Sequence, residues 1–307
     1  MSQPAPMPRH RGPVASIGRI SELSLQTFRQ LSRMKVFYFL VIFALIVIGS
    51  SMFVLRYNSP EQELKLLKDF SFAGMTMFSA LLAIVSTAML LPRDMEDRTV
   101  YTILSKPVPR IEYLLGKLFG VVALVGLSLV LMDALFTLVL YCRQTMMLAE
   151  QEAQIFSRGG GPEAEEAMKL ISQTIQQNGV TWSLQAAVAA AFIKAAVITA
   201  LALMISTFAS SSLFTMVVAA VVYFAGHLQA DMRAYYESLA DLGTISKAIA
   251  AALALLLPDF QLFNVVDAAV AGEPLGWDVV SHLAGFGSGY MAIYTLVAWY
   301  IFQDKEI

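Results

Sequence analysis

Residues 182–208 read WSLQAAVAAAFIKAAVITALALMISTF, an unbroken apolar run carrying one charge, Lys194. A run of about 20 apolar residues is long enough to cross a hydrocarbon core of roughly 30 Å as a helix. In lipid every backbone polar group must be satisfied within its own segment, so a helix is what such a run can form. Comparable runs occupy residues 36–55, 71–91, 118–141, 213–228 and 279–302. The chain is 57% hydrophobic and 14% charged, against about 25% charged in a soluble domain. The expectation is an all-α integral membrane protein with six transmembrane helices.

The intervening segments have distinct characters. Residues 1–16, rich in proline and arginine, read as a disordered cytoplasmic tail. Residues 17–307 then form a single transmembrane domain. At its start Ile17, Ile20, Leu23, Phe28, Leu31 and Met34 share one helical face, and Arg19, Glu22, Gln26, Arg29, Gln30 and Arg33 the other. Leu25 is the misfit in this N-terminal amphipathic helix, which suits the membrane interface with its arginines toward anionic lipid. The polar run preceding it does not read as a cleaved signal peptide, since the first apolar run is of spanning length without a small-residue cleavage site. "PEQELKLLKD" (residues 60–69) reads as a short polar helix before the second span. Residues 142–181 read as an extracytoplasmic loop with a glycine turn and a solvated helix. "ISKAIAAALALLLPDF" ends at Pro258 with too few apolar residues to cross, and reads as a re-entrant or interfacial helix before span 6. Were it to cross, the count would be seven.

Lysine and arginine set the orientation. With six spans, one side collects Arg9, Arg11, Arg19, Arg29, Arg33, Lys35, Arg93, Arg98, Lys106, Arg110, Lys117 and Lys305. The other side has Arg56, Lys65, Lys68, Arg143, Arg158, Lys169, Arg233 and Lys247, spread over longer segments. The richer side is cytoplasmic, so both termini and residues 92–117 are expected there.

That cytoplasmic hairpin, "PRDMEDRTVYTILSKPVPRIEYLLGKLFG" (residues 92–120), mixes charges of both signs with a periodic apolar face. Asp94 and Asp97 suit a helix start, where carboxylates meet the positive end of the dipole. Val100, Ile103 and Leu104 make a small apolar face. Lys106 precedes Pro107, which ends the helix, and Pro109 can open the next. The prediction is a two-turn helix across the bend between spans 2 and 3, with a geometry suited to docking a soluble partner. A topology signal alone would need only lysine and arginine.

The same stretch resembles the coupling segment of ABC-2 type permeases, most nearly the branch associated with multicopper-enzyme maturation. Glu96, Arg98, Thr99, Leu104, Ser105, Lys106, Pro107, Arg110, Glu112, Tyr113, Gly116 and Lys117 occupy matching positions. Arg98-Thr99 replaces the Gly-Thr step of many wider members. "LPDFQLFN" before the last span is similar more loosely. The resemblance implies that a separate ATPase docks on Glu96, Asp97, Arg98, Thr99, Val100, Ile103, Leu104, Ser105, Lys106, Pro107, Arg110 and Glu112. It also implies that two permease chains, identical or related, pair around a substrate route. No G-x-x-x-x-G-K-[ST] phosphate loop occurs in the chain, so ATP and Mg are expected on the partner ATPase and no cofactor on this chain.

Three further features bear on chemistry. Asp133 and Lys194 are ionisable groups inside apolar runs, at depths of about 12 and 18 Å counted from Tyr141 and Trp182. Such groups pair or face the bundle interior, so an Asp133–Lys194 ion pair is expected in preference to a substrate contact. Gly285 and Gly289 have GxxxG spacing suited to helix packing, and Ser288 lies in no hydrolase frame. His10, His227 and His282 are scattered, and the single Cys142 and the dispersed methionines make no metal-ligand pattern. The function expected is the permease subunit of an ATP-driven exporter in the cytoplasmic (inner) membrane, contacting lipid and no nucleic acid. The alternative is a secondary transporter or channel subunit without an ATPase, which would need more intramembrane charge or internal repeats.

Overall fold

The structure is a computed structural model that describes residues 13–54, 60–96, 109–157, 161–209, 211–229 and 257–303. Every regular element among them is helical. In chain order they are α1 (Pro13–Ser32), α2 (Lys35–Val54), α3 (Pro60–Glu96), α4 (Arg110–Ser157), α5 (Pro162–Gln177), α6 (Trp182–Phe208) and α7 (Ser212–His227). A 3-10 turn (Phe260–Phe263), α8 (Val266–Ala271) and α9 (Trp277–Gln303) complete the set.

Each of the six apolar runs falls on one helix, except that Leu55 lies outside the described residues and Leu228 is the C-cap of α7. Among the described residues, three stretches are by themselves long and apolar enough to cross a membrane: Glu61–Pro92, Arg110–Ile155 and Glu165–Phe208. A fourth arises if α1 and α2, which meet at a 69° bend, count as one. Helix α7 is a shorter apolar helix. Helix α9 has 27 residues, but its GFGSGY stretch dilutes its apolarity.

Two expectations about element length change. The "short polar helix" at residues 60–69 is the first part of α3, a continuous 37-residue helix, and Leu64, Leu67 and Lys68 there are buried. Leu64, Leu67, Phe72 and Met75 form a 3.6-period stripe that pays for the burial, so the charged residues between them do not end the helix. Span three likewise runs on past Tyr141 as far as Ser157, and α4 reaches 48 residues. Helix α5, with Pro162 in its first turn after Gly161, follows it where a helix after a glycine turn was expected.

Helix α3 is central, touching α2, α4, α6 and α7. It runs antiparallel to α4 in one register along its length. Arg143 meets Glu63 near one end, Phe72 meets Phe136 (ring centroids 5.2 Å apart), and Lys117 meets Asp94 at the other. Helices α4 and α6 are also antiparallel, with Gln185 beside Asp133 and Phe192 against Gly126. Helix α9 packs along α6, and α1 along the start of α4.

Candidate functional site: the junction that carries residues 97–108

Residues 97–108 lie outside the described residues, and so does the docking helix expected there. Their two stems do not. Helix α3 ends at Glu96, and α4 starts at Arg110 after Pro109, whose carbonyl accepts from the Glu112 and Tyr113 amides. The two stems lie at one place, where α1, α3, α4 and α9 converge.

Asp94, on the last turn of α3, is buried. Its Oδ2 accepts from the Tyr113 hydroxyl at 2.8 Å and faces the Lys117 ammonium at 2.6 Å. Tyr113 and Lys117 are four residues apart on α4, hence on one face, and both are buried. The result is a charge pair with a supporting hydrogen bond, tying the end of α3 to the start of α4.

Arg110 reaches the end of α9. Its Nη1 donates to the carbonyls of Phe302 at 2.5 Å and Gln303 at 2.7 Å. The last carbonyls of a helix have no intrahelical partner and carry its negative dipole end, so a guanidinium suits them. Phe302 lies fully buried, stacked on Tyr113 with centroids 6.1 Å apart and planes 15° apart.

Glu112 faces α1. Arg19 donates from Nε at 2.6 Å and from Nη2 at 2.8 Å, one bond to each carboxylate oxygen, a forked geometry suited to guanidinium and carboxylate. One and two turns further along α4, Gly116 and Gly120 let α1 approach. A Cβ at Gly116 would lie 2.5 Å from Leu23 Cβ, and one at Gly120 would lie 2.5 Å from Thr27 Cβ. This small-xxx-small step in "LLGKLFG" brings the two backbones close, a packing role not expected there. The spacing alone was the available signal.

The remaining site residues fall as follows. Asp97, Arg98, Thr99, Val100, Ile103, Leu104, Ser105, Lys106 and Pro107 are outside the described residues, and Glu96 is the last residue of α3. Arg110 and Glu112, expected to face an ATPase, are engaged inside the protein. Asp133 and Lys194 are not brought together. Gln185 Nε2 donates to Asp133 at 3.3 Å, whereas Lys194 Nζ sits 2.8 Å from His227 Nε2 and 5.9 Å from the Phe260 ring centroid. The reason is register: Asp133 is level with Gln185, and Lys194 lies nine residues, or about 13 Å, further along α6. Depths counted from Tyr141 placed Asp133 too near a helix end that continues to Ser157. Gly285 and Gly289 meet nothing within 4 Å inside the chain; the glycine at a close crossing is Gly287, beside Ile193 of α6. Among the described residues no group of His, Cys, Asp and Glu is placed to hold a metal.

These long apolar helices, knitted by buried polar pairs at their ends, define a polytopic helical membrane protein. A family model described as "ABC-2 family transporter protein" matches residues 25–307, and the chain belongs to that family. It is thus a membrane transport component, not itself catalytic, of a family that generally works with an ABC ATPase partner. A comparison with curated proteins finds no match.

Proposed function

We propose that this chain is the membrane-spanning permease subunit of an ATP-binding-cassette exporter, of the branch associated with multicopper-enzyme maturation. It spans the cytoplasmic (inner) membrane six times with both termini in the cytoplasm. A dimeric ATPase holding ATP and Mg docks on residues 96–107, and a second permease chain, identical or related, completes the transport route. The observation that supports this reading is the clamp at the junction. Both stems of the 97–108 segment are fastened at once, α3 through Asp94, and α4 through Arg110, Glu112, Tyr113 and Lys117. A segment held at both stems transmits a push to α3 and α4 together, whereas a loop serving only topology needs no such fastening. Arg110 and Glu112 then act as fastenings behind the docking surface.

The test is co-purification with the ABC ATPase of its genomic neighbourhood, comparing the wild type with a Val100→Asp/Leu104→Asp variant. The expected result is capture by the wild type and loss of capture by a variant that still folds. Unchanged capture would make the segment a topology loop and favour the secondary transporter.

A further inference from the structure

An ionisable side chain inside an apolar helix is costly, and its partner is the clue to what it does. Lys194, 8% exposed on α6, is partnered by a second basic group. Its Nζ sits 2.8 Å from His227 Nε2, and among the described residues no carboxylate pairs with it. The contact fixes where the hydrogens are. His227 Nδ1 lies 2.8 Å from the Tyr223 carbonyl, which can only accept, so Nδ1 carries a hydrogen. Nε2 then turns its lone pair to the ammonium, and Lys194 donates to it. One proton lies between the two nitrogens; a second would set two N–H groups against each other with no acceptor between them. The bond requires a neutral His227, and imidazole is the side chain whose charge ordinarily changes between about pH 5 and 8.

What this bond holds is a break in the bundle. Helix α7 ends at His227, and the 3-10 turn Phe260–Phe263 seats against that end. Gln261 Nε2 donates to the His227 carbonyl at 2.8 Å. The buried Phe260 ring lies 5.5 Å from the His227 ring and 5.9 Å from Lys194 Nζ. A Cβ at Gly226 would fall 2.6 Å from Phe260 Cδ2 and from the Pro258 carbonyl oxygen, so the chain there runs hard against α7. Phe263 extends the contact to Gly287 on α9. Lys194 lies about 18 Å along α6 from Trp182, and non-helical backbone at such depth is tolerated only where it is buried in protein or lines a water-filled cavity. From α6, the Lys194–His227 bond holds the turn in its seat.

The other titratable groups around His227 are few. Tyr223 stands beside its ring on α7, with centroids 4.5 Å apart. On the turn, Asp259 accepts from the Gln261 amide at 3.1 Å as its cap. Lys194 is the titratable residue of α6. Helix α3, which also packs on α7, has no titratable side chain between Asp69 and Arg93.

We propose that the Lys194–His227 bond is a proton-sensitive latch. It holds the end of α7 and residues 258–263 on α6 while His227 is neutral, and releases them when His227 takes up a proton. The released form binds one proton more than the latched form, so acid favours release, by at most about tenfold in their ratio per pH unit. The latch needs neither an ATPase nor a substrate, so it stands or falls apart from the exporter reading.

The experiment is hydrogen–deuterium exchange of the full chain in phosphatidylcholine nanodiscs, read by mass spectrometry between about pH 8 and 5 and corrected for intrinsic exchange. It follows the opening of the amides of residues 259–265. In the wild type this opening is expected to rise by about tenfold or more as the pH falls across the range. In His227→Gln the side-chain oxygen accepts from Lys194 and takes no proton, so the segment should stay closed without a pH response. His227→Leu leaves Lys194 without an acceptor and should be open at both ends of the range; where it does not fold, His227→Gln alone decides. Asp259→Asn keeps a capping oxygen and should retain the wild-type response. A flat wild type, a His227→Gln variant that still opens in acid, or loss of the response in Asp259→Asn would overturn the latch.

Discussion

Removing the Lys117 ammonium should unfasten the junction at a cost large enough to measure directly. The ammonium lies 2.6 Å from Asp94 Oδ2, with side-chain exposures of 5% and 6%. At an effective dielectric of about 20 the bare attraction at this distance is about 6 kcal/mol. Desolvation of both groups offsets much of it, so the pair itself is a poor measure of stability. Removing one member is different, because it takes a counter-charge from the other in the interior, and such changes cost about 3–5 kcal/mol. In Lys117→Met the stem keeps its packing, and Asp94 loses the ammonium while it keeps the Tyr113 hydroxyl. We expect that variant to lose about 3–5 kcal/mol, and Asp94→Asn/Lys117→Met to recover at least about 2 kcal/mol of it, because the buried carboxylate charge is then gone as well. An amide at position 94 can still accept from Tyr113. The assay is reversible denaturation of the purified chain in mixed micelles with rising SDS. A single variant within about 1 kcal/mol of wild type, the range of an exposed pair, or a double variant no better than the single, would refute the reasoning.

Two other perturbations probe the packing. Gly120→Val sets a side chain 2.5 Å from Thr27 Cβ and should cost about 1–3 kcal/mol by overpacking; Gly285→Val, with nothing within 4 Å, should be neutral in the same SDS titration. Exchanging charges as Asp133→Lys/Lys194→Asp should give no recovery over the single variants, measured as yield of folded protein. Their partners are Gln185 and His227, and a swap at two separate levels repairs neither.

The helices were largely legible because lipid leaves a long apolar run one option, and each of the six runs falls on a helix over nearly all its length. What periodicity could not reveal was where those helices stop. Lys65, Lys68 and Asp69 look like a boundary in a hydropathy profile, yet Leu64 and Leu67 share a face with Phe72 and carry the helix through. The same misjudged end at Tyr141 shifted the depth of Asp133 and produced the pairing with Lys194. At the junction, "RIEYLLGK" stood out by resemblance, but its individual tasks depend on α1 and α9, which lie about 90 and 190 residues away in the chain. Such partners have no signature in a local window. Gly287 rather than Gly285 or Gly289 meets α6 because which side of α9 faces inward is decided by the whole bundle, and spacing within one helix is blind to that.

Helix α4 has one more consequence. Its 48 residues form a rod about 72 Å long, rooted at Arg110 beside the junction and ending at Ser157. A rod of that length is a lever with its handle and its pointer in the same piece of secondary structure. Tilting it by about 5° about its root would swing the far tip by about 6 Å, simple geometry on a rise of 1.5 Å per residue. A disturbance at residue 110 would therefore be legible at residue 157 with no relay of side chains between them.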